Sequence, residues 1–471
     1  MISSRQTIRA VALCGMVAAL AACSSNPLSI VTDRFGNNDV EEANVPSDDN
    51  RKAVLALEGA LEADPAYAGR TIELPPPYTN AAWTQPGGDA DHTLHHLAAN
   101  FATSPVRKQW TADIGAGSSK RAPITAPPVV ADGRIFVIDP EAKVTAYDAQ
   151  TGKRVWRREL TPDVSEDRPF WRVFGGVKAA ELGFGGGVAY DNGRVFITSG
   201  FGFVAGLNAE TGELLWQHEA NAPIRTAPTA ANGKVYAVTN LNEFMALDQA
   251  SGTLDWDYQS FEEAARFLSS SSPAASEDVI VAPFSSGEVT ALSDTGRPLW
   301  TQMIARSSRM NALSNLNDIA GSPVIDRGVV FAISHAGQMS AIDLRSGQPL
   351  WEIGVSGLQT PWVSGDYVYI VSVEGELVCI SRQDGAVVWV EQLPKYGNEK
   401  KKKNRLAWSG PVLAGGELVL ASSGGQLVFA SPQNGEVLRT EKLTSGTIAT
   451  PIIANESLYV LTTDGKLSAY R

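Results

Sequence analysis

From residue 104 onward, short apolar bursts alternate with turn residues, and the pattern repeats. The clearest copy runs Ala126-Pro127, then Arg134-Ile135-Phe136-Val137, then Ala146-Tyr147-Asp148, Thr151-Gly152 and Trp156. Short β-branched and aromatic runs bounded by Gly, Pro and Asp read as strands, and a polar-Gly pair supplies a tight turn. Later copies carry Gly186-Gly187, Thr211-Gly212 and Trp216; Ala227-Pro228, Ser251-Gly252 and Trp256; Ser272-Pro273, Thr295-Gly296 and Trp300. They continue with Ser322-Pro323, Ser346-Gly347 and Trp351; Thr360-Pro361, Asp384-Gly385 and Trp389; then Gly410-Pro411 and Asn434-Gly435, with Arg439 where Trp belongs.

The Pro-to-Trp interval is 27 to 29 residues in every copy, while the segments between copies run from 10 to 31. A constant core with variable connectors, long enough for four short strands, predicts the blades of a β-propeller. An eighth copy begins at Thr450-Pro451 and stops at Arg471, one strand short. Ser104 to Trp110 has the character of the missing strand and ends in an otherwise unassigned Trp. The fold predicted is therefore all-β, an eight-bladed propeller over 104–471, its ring closed by the N-terminal strand near Trp110. In each unit the Trp packs between neighbouring blades, which makes Trp110, Trp156, Trp216, Trp256, Trp300, Trp351 and Trp389 the expected docking residues.

The chain before residue 104 is different. Arg5 and Arg9 precede an apolar stretch, Ala10 to Leu20, too short to span a bilayer, and Leu20-Ala21-Ala22-Cys23 follows. Residues 1–22 read as a secretory signal, and the last four resemble a bacterial lipobox. That resemblance implies lipidation of Cys23. Ser24, rather than Asp, implies sorting to the outer membrane. Residues 23–46 are polar and acidic and read as a flexible tether. Residues 47–103 read as an extension with one short helix, Arg51 to Leu61, capped by Ser47 and ended at Asp64-Pro65, and with an extended Pro75-Pro76-Pro77 connector. Asp89 to His96 holds three of the five histidines, His92, His95 and His96. Clustered imidazoles and carboxylates suit zinc or copper, but a polar loop packed on the domain is the plainer reading, since no further ligand is evident.

Composition narrows the function classes. At 471 residues, 44% hydrophobic and 19% charged, the chain is globular, and its net charge of −12 disfavours nucleic acid. Signal removal takes Arg5 and Arg9 and no acid, moving the charge from −12 to −14. Of three cysteines, Cys14 is then lost and Cys23 lipidated, so no disulfide forms within the mature chain. Cys379, in Leu377-Val378-Cys379-Ile380, reads as a small core residue.

The longest connectors, Arg157–Gly185, Asp257–Ser271, Thr301–Gly321 and Val390–Ser409, all join one blade to the next and so emerge on one rim, the expected binding face. Residues 305–321 offer Leu313, Leu316 and Ile319 as anchors and Asn315, Asn317 and Asp318 as polar groups; 257–271 offers Phe261, Arg266, Phe267 and Leu268. Lys400 to Lys403 form a basic block suited to an acidic partner or anionic lipid, or simply to water. No Walker A, HExxH, GxSxG or EF-hand pattern occurs, so neither a catalytic residue nor a metal or other cofactor is expected.

The Ala-x-Asp…Thr-Gly…Trp unit resembles the tryptophan-docking repeat of quinoprotein dehydrogenases, also eight-bladed. Those enzymes use a vicinal Cys pair and a calcium-bound quinone (PQQ), which one usable cysteine cannot support. The lipobox, the PQQ-like repeats, Ala341 to Trp351 and Thr463 to Arg471 are more similar to BamB, the lipoprotein family of the outer-membrane β-barrel assembly (BAM) machinery. That resemblance implies a non-enzymatic, lipid-anchored scaffold on the periplasmic face of the outer membrane. Its implied partners are the POTRA domains of BamA, other BAM subunits and unfolded barrel clients. It carries partner contacts onto Arg266, Phe267 and Leu268 and onto Leu313, Ser314, Asn315, Leu316, Asn317 and Asp318. The alternatives are a PQQ- and calcium-dependent redox enzyme and a propeller lipoprotein with another periplasmic partner.

Overall fold

The repeated polar-Gly turns close 32 strands into eight four-stranded meanders in a computed structural model that describes residues 61–101, 106–162, 183–261, 271–304, 319 and 321–471. The strands of each blade are here termed a to d, from the central channel outward. Blade 1 comprises Val129–Ala131, Arg134–Ile138, Lys143–Asp148 and Arg154–Glu159, paired in that order. Blades 2 to 7 repeat the order, starting from strand a at Gly186–Asp191, Thr229–Ala231, Ala274–Ala275, Val324–Asp326, Trp362–Ser364 and Trp408–Ala414. Blade 8 takes Ile452–Ala454, Ser457–Leu461 and Lys466–Tyr470 from the C-terminus and its outer strand, Lys108–Asp113, from the N-terminal side. Trp110 pairs with Ala469 across that seam. The ring is thus an eight-bladed propeller with the closure expected from the sequence.

Local chemistry explains the repeat. In blade 1 the Asp148 carboxylate accepts from the Thr151 amide at 2.8 Å and its hydroxyl at 2.7 Å, which folds the c–d turn and holds the Asp148 carboxyl below its usual range. Asp248 with Ser251 and Asp343 with Ser346 do the same. The residue that pairs with each Trp across strands c and d is small: Ala146 with Trp156, Gly206 with Trp216, Ala246 with Trp256, Ala291 with Trp300, Ala341 with Trp351 and Cys379 with Trp389. Cys379 therefore holds a position that needs little volume. Burial pushes its thiol up, and it is a free, buried cysteine.

Each indole reaches the next blade. Trp110 donates to Ala149 O, Trp156 to Ala209 O, Trp216 to Gln249 O, Trp256 to Asp294 O, Trp300 to Leu344 O, Trp351 to Arg382 O and Trp389 to Pro432 O, all at 2.8–3.2 Å. Every acceptor lies in a c–d turn. Blade 8 has no such turn, because its strands c and d come from opposite ends of the chain. Blade 7 accordingly has Arg439, which pairs with Glu417 at 2.6 Å and lies 3.9 Å over the Phe429 ring.

Of the N-terminal expectations, residues 1–60 lie outside the described residues, and with them Cys23, the tether and all but the end of the helix. Asp64, at the expected end of that helix, caps a 3-10 turn, Pro65–Tyr67, by accepting from Ala66 N at 2.8 Å. Asp64 N itself donates to Val387 O in the outer strand of blade 6.

Candidate functional site

The meander order sorts the turns onto two faces. The a–b and c–d turns share one; the b–c turns and all blade-to-blade connectors share the other.

On the turn face, residues 72–101 cross the mouth of the channel as a strap. Ile72 is bonded through its own N and O to the Gln433 side chain of blade 7. The strap then meets blade 8 at Asn455 N→Asn80 O (2.7 Å), blade 1 at Val130 N→Trp83 O (2.8 Å) and blade 2 at Tyr190 N→Thr84 O (2.8 Å). Blade 3 follows at Ala230 N→Gln85 Oε1 (3.2 Å), with Gln85 Nε2 returning a bond to Ala230 O at 2.9 Å. Blades 4 and 5 follow at Ala275 N→Ala90 O (2.7 Å) and Ile325 N→Asp91 O (2.9 Å). Trp362 of blade 6 donates its indole N–H to His95 O at 2.7 Å, and blade 7 is met again through Leu97 N→Leu413 O and Gly415 N→Leu97 O. Part of the strap is core: Trp83, Leu97 and Gln85 are no more than 2% exposed.

The three clustered histidines are pins of this strap. His92 Nδ1 lies 2.7 Å from Pro323 O and so must carry the proton; burial lowers its pKa. His95 Nε2 faces Asp326 at 3.5 Å. His96 has Nδ1 at 2.7 Å from Pro75 O and accepts from Gly416 N on Nε2, which spends both ring nitrogens. Among the described residues no three His, Cys, Asp or Glu side chains converge as a metal would need. Asp89 and Asp91 both accept from the Thr93 amide, at 2.9 and 3.1 Å. Burial first, and then the hydrogen bond and charge of Asp91, push the Asp89 carboxyl up to about 8. Nothing in the extension announced the strap. Backbone acceptors carry no residue signature, and the clearest sequence mark was a buried-type Trp, Trp83, outside any repeat.

On the connector face, the site residues taken from the sequence fall in two connectors. Arg266, Phe267 and Leu268 lie outside the described residues, as do Leu313, Ser314, Asn315, Leu316, Asn317 and Asp318. The footings of both connectors are described, and they meet on one turn. In the b–c turn of blade 4, Phe284 to Glu288, Gly287 O accepts from Ile304 N at 2.9 Å and Phe284 O from Ile319 N at 3.4 Å. Ile304 and Ile319, at the two ends of the second connector, are each 1% exposed. The same turn holds the first connector: the Ser260 hydroxyl donates to Glu288, which also accepts from Ser286 at 2.9 Å, and Asn242 joins Ser285 to the Phe261 carbonyl. Phe261 itself is 75% exposed. Sequence reasoning passed over Glu288 because a single Glu in a strand has no motif.

Lys400 to Lys403 are also on this face, in a formed hairpin. Strands Tyr396–Asn398 and Lys403–Arg405 flank a 3-10 turn, Glu399–Lys401, capped by Asn398, which accepts from Lys401 N at 3.0 Å. Arg405 is tied to Glu374 at 2.9 Å; the lysines are exposed.

This arrangement, eight PQQ-like blades with long connectors on one rim, matches a family profile described as outer membrane protein assembly factor BamB over residues 106–170, 163–391 and 397–471. The chain belongs to the BamB family. The family member of Escherichia coli K12 is 26% identical over 358 residues, 76% of this chain and 86% of that one. That of Yersinia pestis is 26% identical over 338 residues, 71% and 81%. The crystal structure of BamB from Moraxella catarrhalis superposes with a TM-score of 0.62 at 19% identity, covering 78% of this chain and 99% of that chain. A europium-containing methanol dehydrogenase gives 0.62 at 16% identity, covering 80% and 89%. At these identities the likeness of this chain to the two structures shows the fold alone.

Proposed function

We propose that this chain is a non-enzymatic scaffold of outer-membrane β-barrel assembly. Lipid on Cys23 anchors it to the periplasmic face of the outer membrane. Its connector face binds the POTRA domains of BamA, and the assembly helps unfolded barrel clients fold and insert. Family membership supports the assembly role. The observation that carries the binding face is the shared footing. The footings of the two connectors, 42 residues apart at Phe261 and Met303, meet on one buried turn at Phe284–Glu288, which supports a single surface carried by both connectors. Leu316 and Phe267 serve as apolar anchors and Asp318 and Arg266 as flanking charges, the usual composition of an interface centre and rim.

The test is a pull-down of the tagged, lipidated protein from its own membranes, comparing wild type with Leu313→Ala/Leu316→Ala/Asp318→Ala. BamA recovered with wild type and lost with the variant supports the face. Equal recovery moves the site, and no BamA with wild type refutes the partner.

A further inference from the structure

The strap bonds the same place in seven blades. Ile453, Val130, Tyr190, Ala230, Ala275, Ile325 and Leu413 each lie two residues before the a–b turn residues Asn455, Asp132, Asn192, Asn232, Glu277, Arg327 and Gly415. Each gives or takes a hydrogen bond with residues 80–97. In blade 6 the donor is the indole of Trp362, one residue before the equivalent Val363. The contacts run in ring order, blade 7, 8, 1, 2, 3, 4, 5, 6 and 7 again. The strap has little structure of its own: its internal bridges are Tyr78 with Leu97 and Gln85 with Gly88. Its course is set by the ring.

We infer that this mouth of the channel is a binding site for extended polypeptide, and that residues 72–101 are its resident ligand, clamping the eight inner strands together. Strand a is the channel-side edge of every blade, and an edge exposes N–H and C=O groups that need partners. The strap provides them one blade at a time: a backbone carbonyl for six inner-strand or turn amides and the Gln85 amide as a backbone mimic for the seventh. Trp83, bonded to blade 1 through Val130, is buried and stacks on Trp362 of blade 6 with ring centroids 6.2 Å apart. The chain then passes from Phe101 to the closing strand Lys108–Asp113, so the clamp and the outer seam of blade 8 are consecutive devices. Ring opening requires both to release. This inference stands apart from the partner-binding reading, which concerns the opposite face.

The experiment uses the full chain with a protease site inserted between Phe101 and Val106. After cleavage the fragment carrying residues 72–101 is expected to co-elute with the propeller through gel filtration at micromolar dilution, and thermal unfolding to remain a single transition. In the uncleaved chain, Trp83→Ala/Gln85→Ala is expected to lower the melting temperature. It should also raise hydrogen exchange about tenfold or more at Val130, Tyr190, Ala230 and Ala275, the amides the strap covers. Strands b and c should be unaffected. A fragment released on cleavage with the propeller's melting unchanged overturns the proposal. So does a Trp83→Ala/Gln85→Ala variant whose melting and exchange match wild type.

Discussion

The Trp216 ring of blade 2 lies flat on Gly252 of blade 3: a Cβ at Gly252 would stand 2.4 Å from Cε3 of the indole. The same relation joins Trp110 to Gly152, Trp156 to Gly212, Trp256 to Gly296, Trp300 to Gly347, Trp351 to Gly385 and Trp389 to Gly435. The glycine of the polar-Gly pair is thus required twice. It takes a positive φ, +71° at Gly252, and it is the floor on which the neighbour's indole rests.

Gly252→Ala is expected to destabilise the protein by about 2–5 kcal/mol, combining left-handed strain of about 1–2 kcal/mol with overpacking of about 1–3. Gly233 separates the two effects. Its φ is +76° and nothing lies within 4 Å of its would-be Cβ, so Gly233→Ala should cost the strain alone. Urea unfolding of the two variants measures the difference. Equal losses would show that the indole contact contributes nothing.

Arg439 closes the one blade junction without a docking Trp. Arg439→Ala leaves the Glu417 carboxylate, only 18% exposed, without its bidentate partner and should cost about 2–4 kcal/mol. Arg439→Trp should not restore stability, since blade 8 has no c–d turn carbonyl to accept its N–H. A variant as stable as wild type would show that the indole packs usefully without an acceptor.

The Asp89–Asp91 pair makes stability depend on pH. Because burial and Asp91 raise the Asp89 carboxyl to about 8, the folded protein binds a proton that the unfolded chain releases near pH 4. The stabilising contribution is complete below pH 4, falls as pH rises from 4 to 8 and is gone above the folded value. Melting temperature should therefore fall between pH 5 and 8.5 and change less in Asp89→Asn. Parallel curves for the two proteins would place the titration elsewhere.

Glu288 holds the first connector through Ser260 and braces, through Ser286, the turn whose carbonyls root the second. Glu288→Ala removes the acceptor for Ser260 and Ser286. Hydrogen exchange is expected to quicken at both connectors, residues 257–271 and 301–321, while the connector at 220–228 keeps its protection. BamA recovery should fall with it. Loosening of the first connector alone would break the shared footing.

The blades were legible because each is a local object. Pairing of strands a to d, the Asp148–Thr151 turn and the Trp156 position all fall within about thirty consecutive residues, and eight copies average out the ambiguity of any one. Closure by Lys108–Asp113 was legible by subtraction, from a missing strand and a spare Trp. The reason for Arg439 was not: it follows from a turn that is absent a full blade away. The histidine cluster shows the same limit. His92, His95 and His96 look alike in sequence, yet they meet Pro323, Asp326 and Gly416 in two different blades.

What the sequence alone determined was therefore the repeat, the blade count, the seam and the rim on which the connectors emerge. All of these are set by period, turn chemistry and strand order within short stretches of chain. Only the tertiary structure decided the path of residues 72–101 around the channel and the common footing of the two connectors at Phe284–Glu288. Both are made largely of backbone hydrogen bonds between residues far apart in the chain, and a main-chain N–H or C=O is the same at nearly every position.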